Sequence, residues 1–308
     1  MDEPAWSLGG RAGGGTIRIG ILSRNSKLYS IRRLKRAASL QGHEVQFINL
    51  LRCSAYVDAG DHKVLYGNRE VGPLEVLLPR IGTTVTQYGV TIVRHFEHSG
   101  VRVVNGSQAI LNSRDKFHCL QLLAKQNVPV PRTILCRTTE DAVTAIANVG
   151  GPPVILKFLS GTQGIGVIIA ESRESAESML EALWHLGQEI QIQKFISESK
   201  GTDLRALVIG GEVVAAMRRS AVGGSFRSNI HRGAGGRSVE LTEEEAGIAI
   251  AAAEGVGLKI AGVDMVESNS GPLVIEVNSS PGFEGLERAT NRDIAGEIIA
   301  YAAAFGDE

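Results

Sequence analysis

Three oxygen-bearing side chains stand near the end of the chain, in a segment patterned as a β-hairpin. The stretch GVDMVESNSGPLVIEVN (262–278) predicts two strands with a turn near 269–272. Glu276 and Asn278 are two residues apart and so face the same way, while Asp264 lies on the partner strand. Three hard oxygen ligands suit Mg²⁺ better than zinc. The alternative is a hairpin whose outer face is polar without binding a metal.

A second candidate is a lysine inside an apolar strand. Lys157 interrupts VILKF (154–158), where a cation is costly unless it is paired or directed at an anion. The glycine-rich segment SGTQGIGV (160–167) follows, and its backbone N–H groups could approach phosphate oxygens. It matches neither Walker A nor GxGxxG, and the alternative is a flexible hairpin turn. Lys116 alone, in the first turn of a predicted helix, is more typical of a solvated lysine.

A third candidate is the basic segment SFRSNIHRGAGG (225–236), which we interpret as a loop that clamps phosphate or a carboxylate. Asp203 and Arg205 begin the preceding hairpin. They are either a surface ion pair, or a ribose acceptor with a structural or substrate cation beside it. The chain shows no HExxH motif and no Ser/His/Asp order, so phosphate chemistry with magnesium remains.

Composition narrows the class of protein. A chain of 308 residues fits two or three domains. Lys and Arg total 32 against 33 for Asp and Glu, and this balance excludes a general electrostatic nucleic-acid binder. The three cysteines form no CxxC pair, which argues against a disulfide framework or a structural zinc site and favours the cytoplasm. No run of 18 apolar residues predicts a membrane span.

The elements that must position these residues fall into two patterns. A strand, a helix ending at Gly42 and a second strand predict a βαβ unit and a parallel sheet. Two further strands complete an α/β domain over residues 17–112. The predicted elements of this domain are strands 17–22, 44–48, 75–82 and 101–106 and the helix 28–41.

Beyond residue 112 the pattern is α+β. Ser113 is the predicted N-cap of a helix to Gln126, followed by a proline-punctuated linker. Gly210 and Gly211 mark a hairpin turn. The remaining predicted elements are a helix over 172–187, a helix opened by the Thr242–Glu245 capping box and ending near Gly255, and the hairpin 262–278.

The order and spacing of these motifs resemble the ATP-grasp ligases, and within them the RimK family of α-L-glutamate ligases. The matching segments are Lys116, Lys157 with GTQGIGV, QKFI (193–196), Asp203, FRSNIHRGA, Asp264 and EVNSSPG (276–282). ILSRNSKLYSIRRL (21–34) and PRIGTTVTQYG (79–89) also look like that family.

The resemblance implies an α/β plus α+β chain with an ATP-grasp fold behind an N-terminal pre-ATP-grasp (βαβ) domain. We expect a disordered leader over 1–16 and the pre-ATP-grasp domain over 17–112. The ATP-grasp small subdomain would then cover 113–195, and the C-terminal subdomain with the metal site 196–308.

The resemblance also implies roles for individual residues. The ATP phosphates would be held by Lys116, Lys157, Arg227, Ser228 and Asn229. Lys194 and Phe195 would meet adenine through the backbone, although these ligases commonly carry Glu at the position of Lys194. Asp203 would bind ribose, and Asp264, Glu276 and Asn278 would hold two Mg²⁺ or Mn²⁺ ions. Arg227 and Lys157 are the candidates for stabilising the transferring phosphoryl group.

The implied activity is ATP-dependent ligation of L-glutamate to the C-terminus of a small-subunit ribosomal protein through an acyl phosphate. By the same resemblance we expect a homo-oligomer, a tetramer. The charge balance and the lack of a long apolar run predict no direct nucleic-acid or membrane binding. The N-terminal domain and pocket loops, including Arg80 and the turn 281–285, would choose the acceptor. Two alternatives remain open, a glutamate ligase acting on a small-molecule coenzyme and a nucleotide-binding regulator without catalysis.

Overall fold

The computed structural model describes residues 15–159, 166–199, 201–220 and 235–305. The first part of the chain forms a four-stranded parallel sheet, here called the N-terminal sheet, in the order β2-β1-β6-β7. Its elements, with a short antiparallel sheet of β3, β4 and β5 inserted, are β1 (Arg18–Ser23), α1 (Tyr29–Leu40), β2 (Glu44–Asn49), β3 (Cys53–Asp58), β4 (Asp61–Tyr66), β5 (Arg69–Glu70), β6 (Val76–Pro79), α2 (Thr86–His98) and β7 (Arg102–Val103).

The N-terminal sheet is wound in both directions from β1. Helix α1 packs on one face, with Ile31 and Leu34 against the face of Ile19. Helix α2 packs on the other face, in the core that holds Leu22. Because β2 and β6 lie on opposite sides of β1, the strand order reverses there, and in such sheets ligands bind outside the carboxyl ends of the strands at this point.

A middle segment joins the N-terminal sheet to the rest of the chain. It contains α3 (Ser107–Arg114), α4 (Lys116–Lys125), β8 (Thr133–Leu135), α5 (Thr139–Val149), β9 (Val154–Phe158), β10 (Val167–Ala170), α6 (Arg173–His185) and β11 (Ile190–Lys194). Its strands form an antiparallel sheet, here called the small sheet, in the order β10-β9-β11-β8. Helices α5 and α6 cover one face of it, over the buried Leu156 and Ile192.

A helix does end at the predicted Gln126, but the prediction that it begins with Ser113 as its N-cap is wrong. Ser113 lies inside α3, where its hydroxyl donates to the carbonyl of Ile110 at 2.9 Å. The N-cap of the following helix is Asp115, whose carboxylate accepts from the backbone N–H groups of Phe117 and His118. The chain therefore breaks between two helices at a residue that satisfies the free N–H groups of the second.

The last part of the chain forms a five-stranded antiparallel sheet, here called the large sheet, in the order β14-β13-β12-β15-β16. Its elements are β12 (Thr202–Ile209), β13 (Glu212–Ser220), β14 (Gly235–Ser238), α7 (Glu243–Val256), β15 (Ile260–Ser268), β16 (Gly271–Asn278), α8 (Glu284–Thr290) and α9 (Ile294–Ala304).

Local signals of the large sheet behave as the sequence predicts. Gly210 and Gly211 have φ of 61° and 86° and connect β12 to β13. The predicted capping box at Thr242 and Glu245 is confirmed, although α7 runs on to Val256 and ends at Gly257. Helix α7 packs on one face of the sheet. The other face is apolar at one end, where it packs against α8, α9 and α1, and polar at the other.

No helix within the described parts of the chain is long and apolar enough to cross a membrane.

Candidate active site

A row of charged side chains crosses the polar end of the large sheet. Arg205 on β12 stands opposite Asp264 on β15, and Asp264 stands opposite Glu276 on β16. Directly opposed residues in an antiparallel sheet share a face. The guanidinium of Arg205 donates to both carboxylate oxygens of Asp264, at 2.7 and 2.6 Å. Strand pairing therefore brings together two of the three predicted metal ligands.

A second row lies beside the first. Asp203 stands opposite Arg219 on β13, and its two oxygens accept from that guanidinium at 2.6 Å each. Arg219 also approaches Asp264, at 3.2 Å. The surface ion pair between Asp203 and Arg205 is thus wrong, because Asp203 is buried and each residue pairs with another strand. The ribose-binding role of Asp203 stays a prediction.

The two arginines keep Asp264 ionised. Asp264 is only 3% exposed, and burial by itself would raise its pKa. The guanidinium groups of Arg205 and Arg219 outweigh this effect and hold the pKa of Asp264 below its ordinary value. A buried carboxylate held as an anion suits a hard divalent cation.

The donor set fits magnesium or manganese. Glu276 is exposed, and Asn278, half-buried on the same face, donates weakly to the carbonyl of Gly262 at 3.5 Å, which leaves its amide oxygen available. The described residues include no cluster of three His, Cys, Asp or Glu side chains able to hold a metal. A metal here would therefore use two carboxylates and an amide oxygen, with water or phosphate supplying the rest, as Mg²⁺ sites do.

Two lysines approach this row from the small sheet and α4. Burial lowers the pKa of Lys157 to about 8, against the attraction of Glu276 and with the repulsion of Lys116. Burial also lowers the pKa of Lys116, whose ammonium group donates to the carbonyl of Phe158 at 2.9 Å. The charge of Glu276 acts on both lysines, so the predicted phosphate-binding lysines lie within electrostatic range of a predicted metal ligand.

The predicted hinge lies at the end of β11. The backbone N–H of Lys194 donates to the carbonyl of Arg132, and its side chain lies beside Gly150, on the side of α5. In the strand alternation Gln191 and Gln193 take the opposite face, that of Lys157. The adenine-binding role of Lys194 and Phe195 stays a prediction.

Several predicted residues lie outside the described ranges. They are the candidate phosphate ligands Arg227, Ser228 and Asn229, most of the glycine-rich loop 160–166, and most of the leader. Their roles stay predictions.

Sequence reasoning missed two arginines near the site. Arg219 ends an apolar strand, where a buried charge predicts a partner on the neighbouring strand, and that signal was present in VVAAMRR. Arg114 had no such signal, because it closes an ordinary helix. It lines an open cavity of about 1100 Å³ that also reaches Thr84, His118 and Leu159.

The chain is similar to known proteins over nearly its whole length. Residues 17–110 match the RimK PreATP-grasp domain and residues 113–302 the RimK-like ATP-grasp domain. A probable alpha-L-glutamate ligase from Vibrio vulnificus (strain YJ016) is 48% identical over 285 residues, 92% of this chain and 95% of that protein.

Solved structures agree on the fold. A RimK domain ATP-grasp protein from Sphaerobacter thermophilus DSM 20745 has a TM-score of 0.72 at 23% identity, covering 92% of this chain and 99% of its own. The ATP-grasp ligase PsnB, solved with a variant of its minimal precursor, Mg and ADP, also has a TM-score of 0.72, at 20% identity and 95% and 99% coverage. The expected ATP-grasp fold behind a pre-ATP-grasp domain is confirmed.

Proposed function

The chain belongs to the RimK-like ATP-grasp family of ADP-forming carboxylate–amine ligases, and on that premise we propose that it ligates L-glutamate to the C-terminus of an acceptor protein. We further propose that the acceptor is a small-subunit ribosomal protein and that the enzyme works in the cytoplasm as a homo-oligomer, a tetramer. Relatives named probable alpha-L-glutamate ligase support the choice of glutamate.

One observation carries the proposal. Lys116 and Lys157 lie within electrostatic range of Glu276, which stands opposite Asp264 in the large sheet. Cations bind phosphate oxygens directly, whereas carboxylates bind them only through a divalent metal. A nucleoside triphosphate with its metal ions complements both kinds of charge.

The proposed chemistry activates a carboxylate. A carboxylate oxygen of the acceptor attacks the terminal phosphorus of ATP, and ADP leaves with the bridging oxygen. The acyl phosphate then loses inorganic phosphate when the amine of glutamate attacks its carbonyl carbon and gives up a proton. One amide, one ADP and one phosphate are formed for each ATP.

In this scheme the residues of the chain bind and orient ATP and its metal ions. Lys116 and Lys157 hold phosphate oxygens, and because the pKa of Lys157 is about 8, it is mostly cationic at neutral pH. Arg227 would join Lys157 in stabilising the transferring phosphoryl group. Asp264, Glu276 and Asn278 would hold two Mg²⁺ or Mn²⁺ ions. When bound, these ions neutralise charge that develops on the phosphate oxygens.

No covalent nucleophile on the enzyme is required. Burial raises the pKa of the Cys119 thiol to about 12 and that of the Cys53 thiol to about 11. Neither thiol is a reactive thiolate at neutral pH. The scheme therefore uses only bound groups and positioned charges.

The test follows ADP release with Mg·ATP and L-glutamate, with and without a peptide that ends in glutamate, and reads the products by mass spectrometry. We expect ADP release that depends on the peptide, together with mass increments of one or more glutamate residues on it. ADP formed only with a small-molecule acceptor would instead support coenzyme modification. ATP binding without turnover on any acceptor would favour the regulator.

A further inference from the structure

Two arginines meet where the N-terminal sheet approaches the large sheet. Arg80 follows β6 and, through the register of β1 with β6, lies beside Ser23 at the carboxyl end of β1. Its guanidinium donates to the carbonyl of Pro281, in the turn after β16, and lies 5.8 Å from the ring centre of Phe283. Arg114, at the end of α3, donates to the carbonyl of Ile81. We call Arg80 and Arg114 the arginine pair.

The arginine pair is short of negative charge. Among the described residues neither guanidinium forms an ion pair, and each has only a neutral carbonyl as a hydrogen-bond partner. Burial, with a smaller effect from the charge of Arg114, lowers the pKa of Arg80 to about 10. Burial also lowers the pKa of Arg114, against the attraction of Glu276. A guanidinium has five N–H donors, so the pair retains unused donors, and no carboxylate among the described residues contacts it.

Other polar atoms at this junction also lack partners. Within the described ranges, the hydroxyls of Ser23, Ser279 and Ser280 and the Nε of Arg114 are buried without a hydrogen bond. Ser23 and Ser279 are only 1% and 2% exposed. Buried polar groups are nearly always satisfied in native proteins, so this group of orphans points to a polar ligand.

An arginine elsewhere on the same interface shows what a structural pairing looks like here. Arg33 donates to both oxygens of Glu287, at 2.8 and 3.0 Å, and also reaches Asp293 at 2.6 Å. Glu287 is in turn bonded by Tyr29. The interface therefore supplies directly bonded carboxylates where an arginine only joins the two parts of the chain, whereas no described carboxylate bonds the arginine pair.

From these observations we propose that Arg80 and Arg114 bind a substrate carboxylate that is not consumed in the reaction, and so select acidic substrates. The inference rests on the proposed function for its substrates. The pair lies at the strand-order reversal of the N-terminal sheet, where ligands bind in such folds. Arg114 lines the open cavity of about 1100 Å³, through which an acidic amino acid or chain end could reach it.

The position of Arg80 and the donor geometry of arginine favour a carboxylate ligand over a phosphate ligand. Lys116 contacts the carbonyl of Phe158, and both Lys116 and Lys157 lie within electrostatic range of Glu276. Arg80 lies instead against the turn of Pro281, after β16, while Arg114 contacts the carbonyl of Ile81 and lies within electrostatic range of Glu276. The forked donors of arginine match a planar carboxylate in a bidentate contact.

The test compares Arg80→Met, Arg114→Met and Arg80→Lys with Arg33→Met as the matched control. For Arg80→Met and Arg114→Met we expect KM to rise about 100-fold for one acidic substrate, with KM for ATP changed less than about twofold. Arg80→Lys should recover only part of this loss, because lysine cannot make the bidentate contact. Arg33→Met should lower Tm without changing KM for either acidic substrate.

Separate titrations identify the source of the carboxylate. A raised KM for L-glutamate assigns the pair to the incoming amino acid, and a raised KM for the glutamate-ended peptide assigns it to the acceptor. Unchanged KM for both, or a KM for ATP raised instead, would overturn the inference while the proposed function stood.

A binding measurement separates this inference from the proposed function. L-glutamate and glutarate should each raise the Tm of the wild type, and this protection should disappear in Arg80→Met. If the wild type forms no amide but shows protection that requires Arg80, the proposed function fails and the carboxylate site stands. If neither compound nor the peptide protects the wild type, the site is refuted. Should Arg80→Met fail to fold, Arg114→Met and Arg80→Lys carry the same comparison.

Discussion

Arg205 and Arg219 of the large sheet form ion pairs, whereas Lys157 and the arginine pair beside it do not within the described ranges. On the sheet, Arg205 and Arg219 are matched by Asp264 and Asp203 at 2.6 to 2.7 Å. Beside the sheet, neither Lys157 nor the arginine pair forms an ion pair with any described residue. Paired charges of the first kind hold a sheet together, whereas buried charges without partners reduce stability.

This difference separates cations that stabilise the fold from cations that bind ligands. An unpaired buried cation lowers stability in the absence of a ligand, so its presence indicates that an anion binds there. The paired arginines have a second effect, because they keep Asp264 an anion ready for a metal. Each prediction below tests whether a charge belongs to one class or the other.

The largest effect is expected at Glu276. Glu276→Gln removes a negative charge from the proposed metal site, and kcat should fall about 1000-fold. Because Glu276 is exposed, Tm should change little. Steady-state rates and thermal unfolding measure the two. Glu267→Gln is the control on the same hairpin, since Glu267 pairs only with Arg218 among the described residues. Unchanged kcat in Glu276→Gln would refute the metal role.

A comparable loss, but of stability, is expected at Asp203. Asp203→Asn leaves the buried Arg219 with Asp264 as its one remaining described carboxylate, and unfolding free energy should fall by about 3 kcal/mol. Denaturant unfolding measures it. The double variant Asp203→Asn with Arg219→Met should recover part of the loss. A single variant as stable as the wild type would mean that the pair is not structural.

Replacing Lys157 should reduce activity without reducing stability, the opposite of the result expected at Asp203. Lys157→Met should lower kcat/KM for ATP about 100-fold, because a phosphate contact is lost. At pH 7, below the pKa of about 8, the native protein holds a desolvated cation, so removing it should leave Tm unchanged or raise it. A fall in Tm as large as that of Asp203→Asn would place Lys157 among the structural cations.

The smallest effect is a pH dependence. The pKa of Lys157 is lowered to about 8, so the group is a cation below that pH and neutral above it. In the wild type, kcat/KM for ATP should therefore fall about tenfold between pH 7 and pH 9. Lys157→Arg should flatten this limb, since arginine stays charged. An equal slope in both proteins would assign the titration to another group.

Sequence alone predicts the parts of the site that rest on local pattern. The two-residue spacing of Glu276 and Asn278, the capping box at Thr242 and the turn at Gly210 are properties of single segments, and the structure has the elements they predict. The enzyme class and the fold followed from the order of motifs along the chain. These features need no knowledge of which strands pair.

The rest depends on contacts between distant segments. Arg219 meets Asp203 only because β12 and β13 align in one register, and Asp264 meets Arg205 in the same way. Ser113 was predicted as the N-cap and Asp115 was missed, because Ser and Asp are both favoured at that position and pattern alone does not separate residues so close together. The arginine pair is recognised because no described carboxylate bonds to it, and a sequence cannot show which groups surround a side chain.

The central prediction is that the enzyme uses ATP to convert a carboxylate into an acyl phosphate, which an amine then attacks. An acceptor peptide carrying ¹⁸O in both oxygens of its C-terminal carboxylate tests this directly. During ligation of glutamate, we expect one ¹⁸O in the inorganic phosphate for each amide formed, as an acyl phosphate requires. Phosphate without ¹⁸O, with the amide still formed, would contradict activation of that carboxylate.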